Sequence, residues 1–175
     1  MWTAGTIGSG KLLPDREVRI SENGEVRVRG PMVFKGYYQS TLEPFDQEGF
    51  YKTSDLGKID AQGNLNILGR IDNMFISGGE NIHPQEIELA LLNHPLVEEA
   101  IVVGVPDATW GERPVAFVRM MDSKATNEGE LKEYLNLMLP RFKIPYRFFD
   151  WPDQIVSGLK PSRAYIRQRA EGLLL

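Results

Sequence analysis

Asp55 closes the run Tyr51-Lys52-Thr53-Ser54-Asp55, and Arg70 follows on the far side of a hairpin in Gly69-Arg70-Ile71-Asp72. A carboxylate offers two acceptor oxygens and no competing donor, and a guanidinium a fork of donors, so together they suit a ligand carrying hydroxyls and phosphate. Lys160 lies in Ser157-Gly158-Leu159-Lys160-Pro161-Ser162-Arg163, within a stretch whose basic residues Arg141, Lys143, Arg147, Lys160, Arg163, Arg167 and Arg169 are opposed only by Asp150 and Asp153. That asymmetry suits a small ligand rich in phosphate. Each residue also has a plainer reading. A lone Asp after a strand forms a turn, a lone loop lysine is a solvated cation, and Arg167 and Arg169 fit an exposed helix face. Gly78-Gly79 reads as a surface turn, and Trp110 and Phe142 taken singly read as core.

The elements that must position these groups are legible from pattern. Arg16 to Ile20 and Glu25 to Arg29 alternate apolar and charged residues around Glu22-Asn23-Gly24, which predicts a hairpin because Asn-Gly tolerates positive φ. Gly57 to Ile59 and Leu65 to Leu68 predict a second hairpin around Asp60-Ala61-Gln62-Gly63-Asn64, and Gly36-Tyr37-Tyr38 and Gly49-Phe50-Tyr51 read as short aromatic strands or loops. Beyond Asp72 helices and strands alternate. A helix starts at Pro84, where the missing N–H is an orphan anyway, and puts Ile87, Ala90 and Leu91 on one face. Val97 to Val105 and Arg113 to Met121 read as strands. A helix opens at Asn127 with Leu131, Leu135 and Met138 at helical spacing, Tyr146 to Trp151 is a further strand, and Ser162 caps a terminal helix through Tyr165 and Ile166.

Composition narrows the function. A net charge of -4 over 175 residues argues against a nucleic acid held by bulk electrostatics. With no cysteine there are no disulfides and no thiolate metal sites, which fits a reducing cytosol, so the expected location is cytoplasmic. His83 and His94 flank a helix and read as structural, leaving no metal cluster. The most apolar run, Ala100 to Val105, is a buried strand too short to span a bilayer. The N-terminal residues show no signal-peptide pattern and look like a chain entered partway.

Read jointly, Leu65-Asn66-Ile67-Leu68-Gly69-Arg70-Ile71-Asp72-Asn73-Met74-Phe75-Ile76-Ser77-Gly78-Gly79-Glu80-Asn81-Ile82-His83-Pro84-Gln85-Glu86-Ile87-Glu88 resembles the hinge motif of adenylate-forming acyl-CoA synthetases. Tyr51 to Asp55 resembles the ribose-binding signature of the same family, with Ser54 where glycine is usual. Gly158 to Arg163 resembles its C-terminal lysine loop, with Leu159 inserted in the common Gly-Lys. The resemblance implies an α+β fold: residues 1–70 as the β-rich end of a large N-terminal domain, 71–72 as hinge, and 73–175 as a small mobile α+β C-terminal domain. It implies ATP and AMP, Mg2+ accompanying ATP, coenzyme A and a carboxylic acid substrate. Asp55 would accept hydrogen bonds from both ribose hydroxyls, Arg70 would make a second nucleotide contact, and Lys160 would bridge the acid carboxylate and the α-phosphate during adenylation. Asp72 would be the swivel. Gly78 and Gly79 would admit the pantetheine arm of coenzyme A, with Glu80 organising that state. Trp110 and Phe142 would stack on its adenine, and Lys143 or Arg147 would pair its phosphates. The phosphate loop and the acyl pocket of that family are missing, so the chain reads as a C-terminal fragment that is inactive alone, with the N-terminal domain as its natural partner and no membrane insertion. Aryl-acid and fatty-acid CoA ligases of that family remain open, because the acid pocket lies outside this chain, as do a peptide-synthetase adenylation module and a non-catalytic interaction domain of the same fold.

Overall fold

The computed structural model describes residues 8–11, 14–38, 43–121, 125–152 and 161–175. The chain divides after Asp72 into two compact units.

The first unit is one antiparallel sheet in the order β1 (Gly8–Lys11), β5 (Asn64–Arg70), β4 (Tyr51–Ile59), β3 (Glu25–Arg29), β2 (Glu17–Ile20). The β2–β3 hairpin closes at Gly24, whose φ of 82° is the conformation that Asn-Gly predicts. In the β4–β5 hairpin Asp60 Oδ1 accepts the amides of Gln62 and Asn64 at 2.9 and 2.8 Å. Gly36 to Tyr38 form no strand, and only Tyr51 of the second aromatic triplet enters one, at the start of β4. The small core includes Val26, Phe50 and Leu65. Phe50 lies between the guanidiniums of Arg19 and Arg29, each 4.4 Å from its ring centre, and Asp46, Glu48 and Glu17 neutralise those cations.

The second unit is α+β. β9 (Gly111–Met120) carries β8 (Val97–Asp107) along one edge. Its other side pairs with β10 (Arg147–Asp150), in parallel, and with β6 (Phe75–Ser77), which forms a hairpin with β7 (Glu80–Ile82). Alternate side chains of β8 and β9 enter two cores. Val102, Ala116 and Val118 pack with Ile87, Leu91, Leu131 and Leu135 of α1 (Pro84–Leu92) and α2 (Glu128–Asn136). Ile101, Val103, Val115 and Phe117 pack with Trp151 and with Ile166 and Ala170 of α3 (Arg163–Leu174). Burial on both faces is why Ala100 to Val105 is continuously apolar rather than alternating.

Asn127 caps α2 as expected, its side chain accepting the Glu130 amide at 3.3 Å. Ser162 stands at the N-cap of α3 but its side chain makes no capping hydrogen bond, a correction to the sequence reading. Met138 lies past the end of α2 and is exposed, so the helical apolar stripe stops at Leu135. Among the described residues, no helix is long and apolar enough to cross a membrane.

Candidate functional site

Each unit brings some of the chemistry-bearing residues into contact. In the first, β4 departs from β3: Glu25 pairs with Leu56 and Arg27 with Lys52, so Thr53, Ser54 and Asp55 bulge opposite Val26. Side chains fix this bulge. Thr53 Oγ1 donates to the Val26 carbonyl at 2.6 Å and accepts the Asp55 amide at 3.0 Å. Ser54, at φ 60°, donates its amide to Glu25 Oε1 at 3.1 Å. Asp55 thereby faces Arg70 across the β4–β5 pair, with Oδ1 3.2 Å from Nη1, and Arg70 Nη2 reaches Asp72 Oδ2 at 2.9 Å.

All three side chains are open to solvent, Asp55 least at 35%. The Asp72 hydrogen bond outweighs desolvation and, with the charges of Asp55 and Asp72, raises the Arg70 pKa, so Arg70 is a permanent cation. Tyr51 stays a neutral phenol, its pKa raised by the hydrogen bond to Tyr37 and by burial. The arrangement is an acceptor for hydroxyls next to a fixed positive charge, on two paired interior strands of the sheet. Asp72 lies in a single 3-10 turn, Ile71–Asn73.

The second group gathers around the β6–β7 turn. Gly78 and Gly79 have φ of 58° and 87°, both left-handed, the signature of a two-residue turn that only glycine fills readily. Gly78 is also the floor under Trp110. A Cβ there would lie 2.4 Å from the indole Cε3, and the Gly78 amide donates to the Trp110 carbonyl at 2.9 Å. Nothing lies within 4 Å of a Cβ placed on Gly79, and Glu80 is exposed. Asp107 Oδ1 accepts the amides of Thr109 and Trp110 at 2.9 and 3.0 Å, bonds that lower its own pKa and fix the turn presenting the indole. Trp110 is 49% exposed and Phe142 41%, so neither is core.

Phe142 and Lys143 sit on a single 3-10 turn, Arg141–Lys143. Lys143 Nζ is 2.6 Å from Glu86 Oε2 and its side chain is only 17% exposed, so its charge is already engaged with α1. Arg147 is exposed beside Tyr146, and Arg113 lies 4.1 Å over the same ring. At the start of α1, His83 has its pKa lowered, chiefly by burial. Lys160 lies outside the described residues; Arg163 begins α3. It donates to the Val102 carbonyl and to Glu88 Oε2 at 2.9 Å, and Glu88 Oε1 accepts the Val102 amide at 2.8 Å.

The structure therefore brings together Asp55, Arg70 and Asp72, and separately Gly78 with Trp110. Sequence reasoning missed Glu25, Thr53 and Glu88, whose partners are distant in the chain. Asp107 was findable as the first residue of an Asp-x-Thr turn.

Residues 86–153 match the AMP-binding enzyme C-terminal domain family. The 2-succinylbenzoate–CoA ligase of Bacillus subtilis (strain 168) is 45% identical over 130 residues, covering 73% of this chain and 26% of that relative. ATP-bound MatB from Rhodopseudomonas palustris superposes with a TM-score of 0.82 at 31% identity, covering 96% of this chain and 36% of that one. Wild-type E. coli MenE, bound to an analogue of OSB-AMS, gives a TM-score of 0.81 at 35% identity, with coverages of 94% and 36%. The chain thus spans about a quarter to about a third of the length of these relatives.

Proposed function

Because the chain carries the C-terminal domain of the adenylate-forming AMP-binding enzymes, we propose that it is the C-terminal part of an AMP-forming acid–CoA ligase acting on o-succinylbenzoate in menaquinone biosynthesis. The reaction has two halves. The acid carboxylate attacks the α-phosphorus of ATP and pyrophosphate leaves, giving an acyl-adenylate. The thiol of coenzyme A then attacks the acyl carbon and AMP leaves.

The observation that carries this reading is the Asp55–Arg70–Asp72 constellation, held at 2.9 to 3.2 Å on a bulge built for it. Asp55 takes the ribose hydroxyls as an acceptor with two oxygens, and Arg70 balances the nucleotide's negative charge. Lys160 supplies a cation to the charge developing on the α-phosphate. Mg2+ enters as the counter-ion of ATP. In the thioester half-reaction Gly78 and Gly79 give the pantetheine arm a backbone without Cβ, and Trp110 offers a half-exposed ring to the adenine of coenzyme A. Arg147 and Arg113, the latter shared with Asp107 at 3.7 Å, provide cations for its phosphates in place of Lys143, which is held by Glu86. Asp72 is the pivot between the two half-reactions, in the cytoplasm where both nucleotides are present.

The acid is the finer part of the proposal, since no residue of this chain need touch the acyl group. The test is pyrophosphate release from ATP by the full-length protein with o-succinylbenzoate, benzoate and medium-chain fatty acids in competition. Preference for o-succinylbenzoate in kcat/KM is expected, since a pocket pairing its second carboxylate rejects acids that lack it. A better simple aryl or fatty acid would discard the named substrate. No ATP-dependent release with any acid would favour an interaction domain instead.

A further inference from the structure

We infer that Glu25, a buried carboxylate on β3, is a positioning residue for Asp55 and sets the enzyme's affinity for the ribose of ATP. The inference rests on the proposed nucleotide role of Asp55. Glu25 is 6% exposed and is held from behind: Arg27 Nε donates to its Oε2 at 3.2 Å, while Arg27 Nη1 donates to Asp46 Oδ2 at 2.9 Å. Its other oxygen, Oε1, takes the amide of Ser54 at 3.1 Å. That amide belongs to a non-glycine residue in the left-handed region, at φ 60°.

A residue other than Gly, Asn or Asp is held there only where its surroundings over-determine it, and such outliers gather where geometry serves function. Here the partners are Glu25 on one side of Ser54 and the Thr53 hydroxyl, which accepts the Asp55 amide at 3.0 Å, on the other. Without the Glu25 acceptor, Ser54 relaxes toward negative φ and turns the peptide leading into Asp55. The Asp55 carboxylate then leaves its station opposite Arg70. Glu25 touches no substrate. Its effect passes through the hydroxyl contacts of Asp55, so it must depend on the hydroxyls being there.

The experiment measures pyrophosphate release by the full-length ligase with ATP and with 2′,3′-dideoxy-ATP. Glu25→Leu, which removes the acceptor oxygen that glutamine would keep, should raise KM for ATP roughly ten- to hundredfold with kcat changed much less, the signature of lost ground-state positioning. With the dideoxy nucleotide the same substitution should change kcat/KM by no more than about twofold, because the contact it disturbs is already missing. Adding Ser54→Gly to Glu25→Leu should recover part of the ATP affinity, since glycine holds φ 60° unaided. Should Glu25→Leu fold poorly, Glu25→Asp, which keeps the charge toward Arg27 but withdraws the acceptor by one methylene, should give the same split between nucleotides at smaller amplitude. Equal penalties for both nucleotides, or an unchanged KM for ATP, would overturn the role of Glu25 while leaving the ligase reading intact. A wild-type protein that releases no pyrophosphate would overturn the ligase reading, and the role of Glu25 with it.

Discussion

β8 is an edge strand among the described residues, pairing only with β9, and its open edge is closed at Val102 by two side chains from opposite layers. Glu88 of α1 accepts the Val102 amide at 2.8 Å, Arg163 of α3 donates to the Val102 carbonyl, and the two side chains bond each other at 2.9 Å. Their side chains are 11% and 17% exposed, so the pair is largely desolvated. Glu88→Ala orphans a backbone N–H, worth about 1–3 kcal/mol. It also strands a guanidinium, and breaking a buried pair costs about 3–5 kcal/mol. The two penalties overlap and the pair keeps some solvent, so the expected loss is about 3 kcal/mol. Arg163→Ala leaves Glu88 with its amide donor and should cost about 2.5 kcal/mol. The double variant removes both charges and should lose about 4 kcal/mol, a coupling of about 1.5 kcal/mol.

Urea unfolding followed by tryptophan fluorescence gives these values, since Trp110 and Trp151 lie in this unit. Hydrogen exchange at the Val102 amide reports the clasp locally: it should quicken in Glu88→Ala and much less in Arg163→Ala. Single losses below about 1 kcal/mol that add within about 0.5 kcal/mol would refute the reasoning.

Asp46, hydrogen-bonded by the amides of Phe50 and Glu48 and paired with Arg27 and Arg19, has its pKa lowered from 3.8 to about 2. Because the folded pKa is the lower one, its stabilisation is full above about pH 4 and is lost as pH falls toward 2, and Asp46→Asn should flatten acid unfolding in that window. Gly78→Ala places a Cβ 2.4 Å from the Trp110 ring at a left-handed φ, so it should displace the indole and slow thioester formation while sparing adenylation; equal rates for both halves would contradict the site. In the full-length protein Lys160→Ala should slow adenylation by roughly 10²–10³ and leave thioester formation from a pre-made acyl-adenylate largely intact. Asp72→Pro fixes φ and should spare the first half-reaction while blocking the second in single-turnover assays; unchanged overall turnover would place the pivot elsewhere.

Local signals in the sequence translated directly into structure: Asn23-Gly24 into a hairpin, Pro84 into a helix start, Asn127 into a cap, and the apolar run at Ala100 to Val105 into a strand buried on both faces. Each depends on residues within one turn or one strand of each other. Partnerships between distant residues were not legible. Nothing in Arg141-Phe142-Lys143 indicates that Lys143 is held by Glu86, fifty-seven positions away, nor does the Lys-x-x-Arg spacing reveal that Arg163 answers Glu88, seventy-five away. Ser162 failed as a cap for the converse reason: its type is right for the position, yet its side chain forms no such bond.

Ser54 shows how a departure from a motif can keep the motif's geometry. Serine stands where glycine is usual, and glycine is the residue that takes positive φ freely. Yet the backbone is at φ 60°, the conformation glycine would have supplied. The unfavourable torsion has been transferred to a buried carboxylate one strand away, Glu25, and to the hydroxyl of Thr53. The β6–β7 turn marks the limit of such substitution. It requires left-handed φ at two consecutive positions, 58° and 87°, with an indole in van der Waals contact over the first. No neighbouring acceptor relieves a clash with a ring, so Gly78 has no structural equivalent there. A single left-handed residue can be held by its neighbours, whereas a left-handed pair under an aromatic ring needs glycine.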